Sequence, residues 1–381
     1  MRKINLLQPQ KISFGLGCAS ECVDDVRARG LRRVFILTIS PLVELLGPLV
    51  VALKEGGCAV HLDTSITMEP TMAMFEQVLE AARSFEPDAV LGLGGGSSMD
   101  TAKLVAALHN SPQRVRETFG INQLAGRSTF LACLPTTSGT GSEVSPNAIL
   151  LDEAEQLKKG IVSPHLVPDA AYVDPALTFT APPHITAATG VDALTHCIEA
   201  YANRFAHPII DLYALEGIRL IAANVVRAVE NGHDIEARTA LSLGSLFGGL
   251  CLGPVNTGAV HALAYPLGGE FHVAHGVSNS VLLPHVLAFN LPAAPQRYAQ
   301  VALALGVEAG DTSEQTAQRG LAKLRRLSAQ CGIPAGLSDL DVPEDAIPRM
   351  AESAMKVTRL LKNNVRELTA ADAEAIYRAA Y

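Results

Sequence analysis

Short apolar runs alternate with helix-patterned segments through the first 175 residues, and that alternation leaves few folds open. RVFILTI (33–39), CAVHLD (58–63), DAVLGLG (88–94), TFLACLP (129–135) and NAILLD (147–152) read as strands, with AYVDP (171–175) as a last one. Between them, 41–55, 71–84 and 98–109 carry helix-like spacing punctuated by Gly or Pro. Strands separated by helices predict a parallel sheet with crossover helices on its faces. After TFTAPP (178–183) the texture changes, and 184–381 holds long helical patterns with no convincing strand series. A chain of 381 residues also exceeds a comfortable single core. The expectation is an α/β domain over 1–180 and an all-helical domain over 181–381.

Composition narrows the class of protein. With 48% hydrophobic and 18% charged residues the chain is globular, not disordered. A net charge of −8 with no basic cluster argues against a nucleic-acid partner. The N-terminus MRKINLLQPQ lacks the apolar core of a signal peptide. Seven scattered cysteines (18, 22, 58, 133, 197, 251 and 331) read as reduced, buried thiols of a cytoplasmic protein. Cys18 and Cys22 are spaced like half a metal knuckle, but no second pair follows. Residues 239–269 contain no Asp, Glu, Lys or Arg, yet Gly248, Gly249, Gly253, Pro254, Asn256 and Pro266 break the stretch and it holds His261. A buried helical region around a polar site fits that stretch better than a membrane span.

Two loops suggest a phosphate-bearing ligand. VLGLGGGSSMDTAK (90–103) runs from an apolar strand through three glycines into a helix. Glycines let backbone approach a phosphate, and the helix N-terminus offers free N–H groups and a positive dipole end. The string narrowly misses the dinucleotide fingerprint G-x-G-x-x-G, with Ser97 in the last glycine's place. LPTTSGTGSEVSPN (134–147) is a second hydroxyl- and glycine-rich turn after a strand. Either alone reads as a tight turn. Two in succession point to a pyrophosphate-containing ligand at the strands' carboxyl ends.

GVDALTHCIEAY places Asp192 and His196 four apart in a helical pattern, so both project from one face. Two more imidazoles would complete an N3O set suited to a divalent transition metal. His261 and His275 sit among apolar residues, where an unpaired imidazole costs free energy. His272, His285 and His207 compete for the same role; His184 and His165 read as loop residues, His109 and His233 as surface ones. A metal site in one half and a nucleotide site in the other suit hydride transfer to or from a metal-polarised oxygen, in an interdomain cleft.

GGGSSMDTAK, PTTSGTGSEVS, the GVDALTHCIEAY helix and the HALAYPLGG–HGVSN–LLPH block together resemble the iron-containing (group III) alcohol dehydrogenases, in that family's order and spacing over essentially the whole chain. The tail NNVRELTAADAEAIYRAAY is similar to the family's C-terminal helix. The resemblance implies the dehydroquinate synthase-like fold: an N-terminal dinucleotide-binding α/β domain with a parallel sheet and an all-α metal-binding domain. It implies Asp192, His196, His261 and His275 as ligands of Fe(II), or of Zn(II). It places Gly94, Gly95, Gly96, Ser97, Ser98 and Asp100 around the phosphate turn, and Thr136, Thr137, Ser145 and Lys158 at further NAD or NADP contacts. Asn147 and Leu252 fall where the family lines its substrate pocket. The implied reaction interconverts a small alcohol and its aldehyde or ketone, in a homodimer or larger homo-oligomer.

Three positions depart from the family. Ile39 followed by Ser40 stands where NAD-preferring relatives carry an acid for the adenosine ribose, which leaves room for NADP. Tyr265, four after the third ligand, replaces a histidine associated with proton transfer; a phenol of pKa about 10 is a poor base unless tuned. Glu69 replaces an asparagine at a cofactor contact. Neighbouring readings within the fold are a maleylacetate-reductase-like keto-acid reductase, which the full ligand set disfavours, and a glycerol-dehydrogenase-like zinc enzyme. A dehydroquinate-synthase-like lyase needs a crowd of Lys and Arg that 239–296 lacks. A non-catalytic cofactor- or metal-binding relative is favoured only by Tyr265.

Overall fold

A computed structural model describes residues 2–155 and 157–381. It resolves into two compact units. One comprises Leu6–Thr137 and Gly141–Thr180; the other comprises Ala181–Tyr381 with Ser138–Thr140 and the N-terminal residues as far as Asn5. The chain thus changes unit at 180/181, while two short pieces of the first 180 residues cluster with the helical unit.

The first unit holds β1 (Lys11–Phe14), β2 (Arg33–Leu37), β3 (Ala59–Asp63), β4 (Ala89–Gly94), β5 (Gly120–Ile121), β6 (Phe130–Pro135), β7 (Asn147–Asp152), β8 (Leu157–Val162) and β9 (Ala170–Val173). Its helices are α1 (Glu21–Ala28), α2 (Gly47–Glu55), α3 (Met72–Phe85) and α4 (Gly96–Leu108). Six strands form one sheet in the order β1-β9-β6-β4-β2-β3, every pair parallel. The central β4 and β6 are buried along their whole length, as strands covered on both faces must be. Alternation sorts β2 between two cores: Phe35 and Leu37 join Phe75, Leu79, Val105 and Leu131, whereas Val34 and Ile36 join Val26, Leu53, Leu91 and Leu134.

One expected strand changes place, and three strands, β1, β5 and β8, were not expected from the sequence. NAILLD is β7, but it lies outside the parallel sheet and pairs antiparallel with β8, next to β5. The connection from Asp152 to Leu157 is too short for a crossover helix and permits only an antiparallel partner. β8 itself (LKKGIV) hides its strand pattern behind adjacent Lys158 and Lys159. β1 is an edge strand of four half-buried residues, KISF, with too little alternation to read from sequence.

The second unit is helical, with no named strand among the described residues: α5 (Pro183–Tyr201), α6 (Pro208–Glu230), α7 (Ile235–Leu252), α8 (Ala259–Phe271), α9 (His275–Asn290), α10 (Pro295–Ala304), α11 (Ser313–Gln330), α12 (Ile347–Ala354), α13 (Thr358–Leu361) and α14 (Ala370–Ala379). α5 starts with Pro183 at its first turn and is buried almost continuously from Thr186 to Tyr201, which makes it the unit's central helix. Asp234 caps α7 by accepting from the Ala237 N–H, and Thr369 with Asp372 forms a capping box on α14. The charge-free 239–269 stretch falls in α7, α8 and the turn between them, largely buried. Among the described residues no helix is long and apolar enough to cross a membrane. All seven cysteines are free and buried; burial pushes the Cys22, Cys133 and Cys197 thiols up to about 12.

Candidate functional site

Helical spacing brings the first two site residues together. Asp192 and His196 share one face of α5, and the α8–turn–α9 hairpin adds the rest: His261 from the first turn of α8, His275 as the first residue of α9. One donor atom from each of the four lies within 4.8 Å of the others. The His196 and His261 rings stack at 4.7 Å between centroids, and His261 and His275 lie 5.3 Å apart at 57°. Asp192 Oδ1 is 3.6 Å from His261 Nε2 and 4.0 Å from His196 Nε2. Asp192, His196 and His261 are buried; His275 is half-buried.

Protonation favours a cation at this point. Burial lowers His196 to about 4 despite the pull of Asp192, so its imidazole is neutral at pH 7 with a lone pair to offer. Burial pushes Asp192 upward, but His196, His275, His261 and the Asn279 amide outweigh it, and the carboxyl sits below its usual range. His261 Nε2 is buried without a hydrogen-bond partner, an arrangement that costs free energy unless something binds it. Three imidazoles and one carboxylate converging on a point fit a divalent transition metal.

Residues beyond these four hold them in place. Asn279, one turn after His275, donates from Nδ2 to Asp192 Oδ1 at 2.7 Å and lies 3.1 Å from His275 Nε2. Glu199 Oε2 lies 2.6 Å from His261 Nδ1. Sequence reasoning missed both, although each stands at i+3 or i+4 from a candidate ligand (His196–Glu199, His275–Asn279), and that spacing was the available signal. Of the competing histidines, His272 is the exposed left-handed cap of α8, His207 caps α6 by accepting from the Ile209 N–H, and His285 lies further along α9. His109 is half-buried against Thr129 Oγ1 at 2.6 Å, not a free surface residue, and His184 belongs to the first turn of α5, not to a loop.

Tyr265 follows His261 by one turn, is 6% exposed, and packs with Ala262, Val357 and Leu360; Arg359 Nη2 donates to its hydroxyl at 3.4 Å. Leu252 ends α7 and is buried.

In the α/β unit, β4 runs through Gly94 and Gly95 directly into α4, whose N-terminus has no side-chain cap. Gly94 has φ +155°, and a Cβ there would lie 2.7 Å from Ser98 Oγ. Ser98 Oγ is buried with no hydrogen-bond partner at this uncapped helix start, so the turn keeps polar capacity for an anionic ligand. Thr136 N donates to Gly94 O at 2.9 Å, and Thr137 lies 3.6 Å from where a Cβ on Gly95 would sit, so both threonines line the turn formed by Gly94, Gly95, Gly96 and Ser97.

The remaining positions are engaged within the unit. Asp100 accepts from Ser142 Oγ at 2.5 Å and Ile149 N at 3.0 Å, tying α4 to the second loop. The buried Lys103 donates to the carbonyls of Ser145 and Asn147 at 3.0 and 2.9 Å, which fixes that loop, while Asn147 Oδ1 stays buried without a partner. Lys158, its side chain 1% exposed, pairs with Glu69, so the residue that departs from the family pattern reaches an expected cofactor contact.

Glu143, in the same loop, is buried, and burial raises its carboxyl to about 7. An unfolded glutamate ionises near 4.3, so between that pH and about 7 the unfolded chain binds fewer protons and stability falls as pH rises. Glu143→Gln removes this dependence. Denaturant unfolding should show the variant gaining on the parent by about 3 kcal/mol between pH 4 and pH 8; equal differences at both ends would contradict it.

A parallel α/β unit with a phosphate-type turn and a helical unit with an N3O donor set are the two parts that a metal-dependent dehydrogenase requires. Family models agree: residues 9–175 match "Iron-containing alcohol dehydrogenase" and residues 186–381 match "Fe-containing alcohol dehydrogenase family, C-terminal". The chain belongs to the iron-containing alcohol dehydrogenase family. It is 37% identical to long-chain-alcohol dehydrogenase 1 of Geobacillus thermodenitrificans, an alignment covering 100% of this chain and 98% of that protein. The crystal structure of a 1,3-propanediol oxidoreductase superposes with a TM-score of 0.96 at 33% identity, covering all of both chains. A sulfoacetaldehyde reductase from Bifidobacterium kashiwanohense, solved with NAD+, superposes with a TM-score of 0.89 at 27% identity over 100% of this chain and 99% of that one.

Proposed function

We propose that the protein is an NAD(P)-dependent alcohol dehydrogenase that interconverts a small primary alcohol and its aldehyde, using an ion held by Asp192, His196, His261 and His275. The convergence of those four donors around a buried, unpartnered imidazole nitrogen carries the reading. A bound divalent ion, Fe(II) or Zn(II), supplies Lewis-acid stabilisation of negative charge on the substrate oxygen, and the nicotinamide supplies the hydride acceptor or donor. The chain's own residues do the rest. Asn279 orients the Asp192 carboxylate, and the neutral His196 keeps a lone pair available at working pH. Burial of Asp192, His196 and His261 shields three of the four donors from water.

The uncapped start of α4, with Gly94, Gly95, Gly96, Ser97 and Ser98, receives the cofactor's pyrophosphate. Thr136 and Thr137 border that turn, Ser145 and Lys158 serve as outer contacts, and Asp100 acts through the loop it anchors. Tyr265, one turn beyond His261, exchanges the proton in this reading, and Asn147 offers an unspent side-chain oxygen for a hydrogen bond to substrate or cofactor. The seven free thiols suit a reducing cytoplasm, and family resemblance supports a homodimer or larger assembly.

Purified protein should reduce short aldehydes with NADH or NADPH; no turnover across a panel of alcohols and aldehydes would contradict the reading. At the cofactor's adenosine end, Ile39 and Ser40 follow the buried Thr38, and neither is the carboxylate that would repel a 2′-phosphate. Ile39→Asp should move the kcat/KM ratio about tenfold or more toward NADH, through charge repulsion worth about 1.4 kcal/mol. An unchanged ratio would place the 2′ position elsewhere.

A further inference from the structure

Glu199 is a buried acid three residues beyond His196, on the face of α5 that carries Asp192 and His196. Its two oxygens grip the start of α8: Oε2 lies 2.6 Å from His261 Nδ1, and Oε1 accepts from the Val260 N–H at 2.7 Å. The carboxylate lies where the helix dipole favours a negative charge. Gly258, just before α8, makes room for it, since a Cβ there would sit 3.2 Å from Oε1 and 3.4 Å from Asn364 Oδ1.

We propose that Glu199 is the positioning residue of the metal centre, fixing both the tautomer of His261 and the charge balance of the site. An ionised carboxylate has no proton to give, so the hydrogen in the 2.6 Å contact comes from His261 Nδ1. The lone pair then falls on Nε2, the nitrogen left unpartnered and 3.6 Å from Asp192 Oδ1. A divalent ion among one carboxylate and three neutral imidazoles leaves one positive charge buried, and Glu199 brings the cluster to zero. This inference rests on the metal-centre reading above.

The test uses full-length protein stripped of metal, with zinc as the probe. Two readouts are taken on the parent, Glu199→Gln and Glu199→Ala: zinc Kd by chelator competition, and the His261 tautomer from nitrogen–proton NMR of the metal-free protein. Glu199→Gln keeps the shape and an acceptor but loses the charge, and should weaken zinc about 10-fold. Glu199→Ala should weaken it about 100-fold and release His261 from the Nδ1–H tautomer. A residue that merely capped α8 would lower thermal stability and leave zinc affinity at the parental value; that result overturns the proposal, as does an unchanged tautomer in Glu199→Ala. If Glu199→Ala does not fold, Glu199→Gln, matched in volume, decides on zinc affinity. If the parent itself binds no zinc, the metal-centre reading fails, and the tautomer alone decides whether Glu199 orients His261.

Discussion

His261→Ala is expected to lower kcat/KM for alcohol oxidation by about 10³-fold or more, the equivalent of losing about 4 kcal/mol of charge stabilisation in the transition state. His261 is the hub of the donor set. Its ring stacks on His196, approaches His275, and presents its bare Nε2 toward Asp192 while Nδ1 faces Glu199. Truncation removes one metal donor and strands the Glu199 carboxylate inside the protein, so a modest stability loss of about 1–3 kcal/mol should accompany the kinetic one. Two controls separate these effects: thermal unfolding of the variant, and its affinity for NAD(H), which should be unchanged because the glycine turn belongs to the other unit. A folded variant that kept a tenth or more of parental activity would remove His261 from the chemistry.

The second large effect is at Gly94. At φ +155° a side chain is strained, and its Cβ would meet Ser98 Oγ at 2.7 Å and Ser98 Cβ at 2.9 Å. Ser98 is buried and cannot swing clear, so Gly94→Ala must shift the turn itself. Strain and displacement of about 2 kcal/mol correspond to about 30-fold weaker cofactor binding. The expected signature is a raised KM for NAD(H) with zinc affinity intact, the reverse of the His261→Ala pattern. An unchanged cofactor KM would separate this turn from the pyrophosphate.

The sequence carried the architecture where the signal was local. Apolar runs and glycine punctuation fixed the positions of β2, β4 and β6, because central strands buried on both faces need continuous apolar residues. The Asp192–His196 pair was legible because helical periodicity alone brings residues four apart together. What failed depended on distant partners. Nothing local marks NAILLD as half of an antiparallel hairpin instead of a strand of the parallel sheet, since the decision rests on pairing with Lys-bearing β8. Choosing His261 and His275 over His272 and His207 needed family resemblance, because it depends on how α8 and α9 return to α5. Glu69 looked like a lost contact until the fold paired it with Lys158, eighty-nine positions away. Glu199 was visible as an i+3 neighbour but unmarked as to partner, since its bonds go to another helix.

The most direct test of the central claim is a metal titration of turnover. Protein purified without oxygen and stripped by a chelator should be inactive with alcohol and NAD(P). Activity should return in proportion to added Fe(II) or Zn(II) and level off at one ion per chain, as one four-donor centre requires. Full activity in the stripped protein, or recovery that needs no Asp192, His196, His261 and His275, would contradict it.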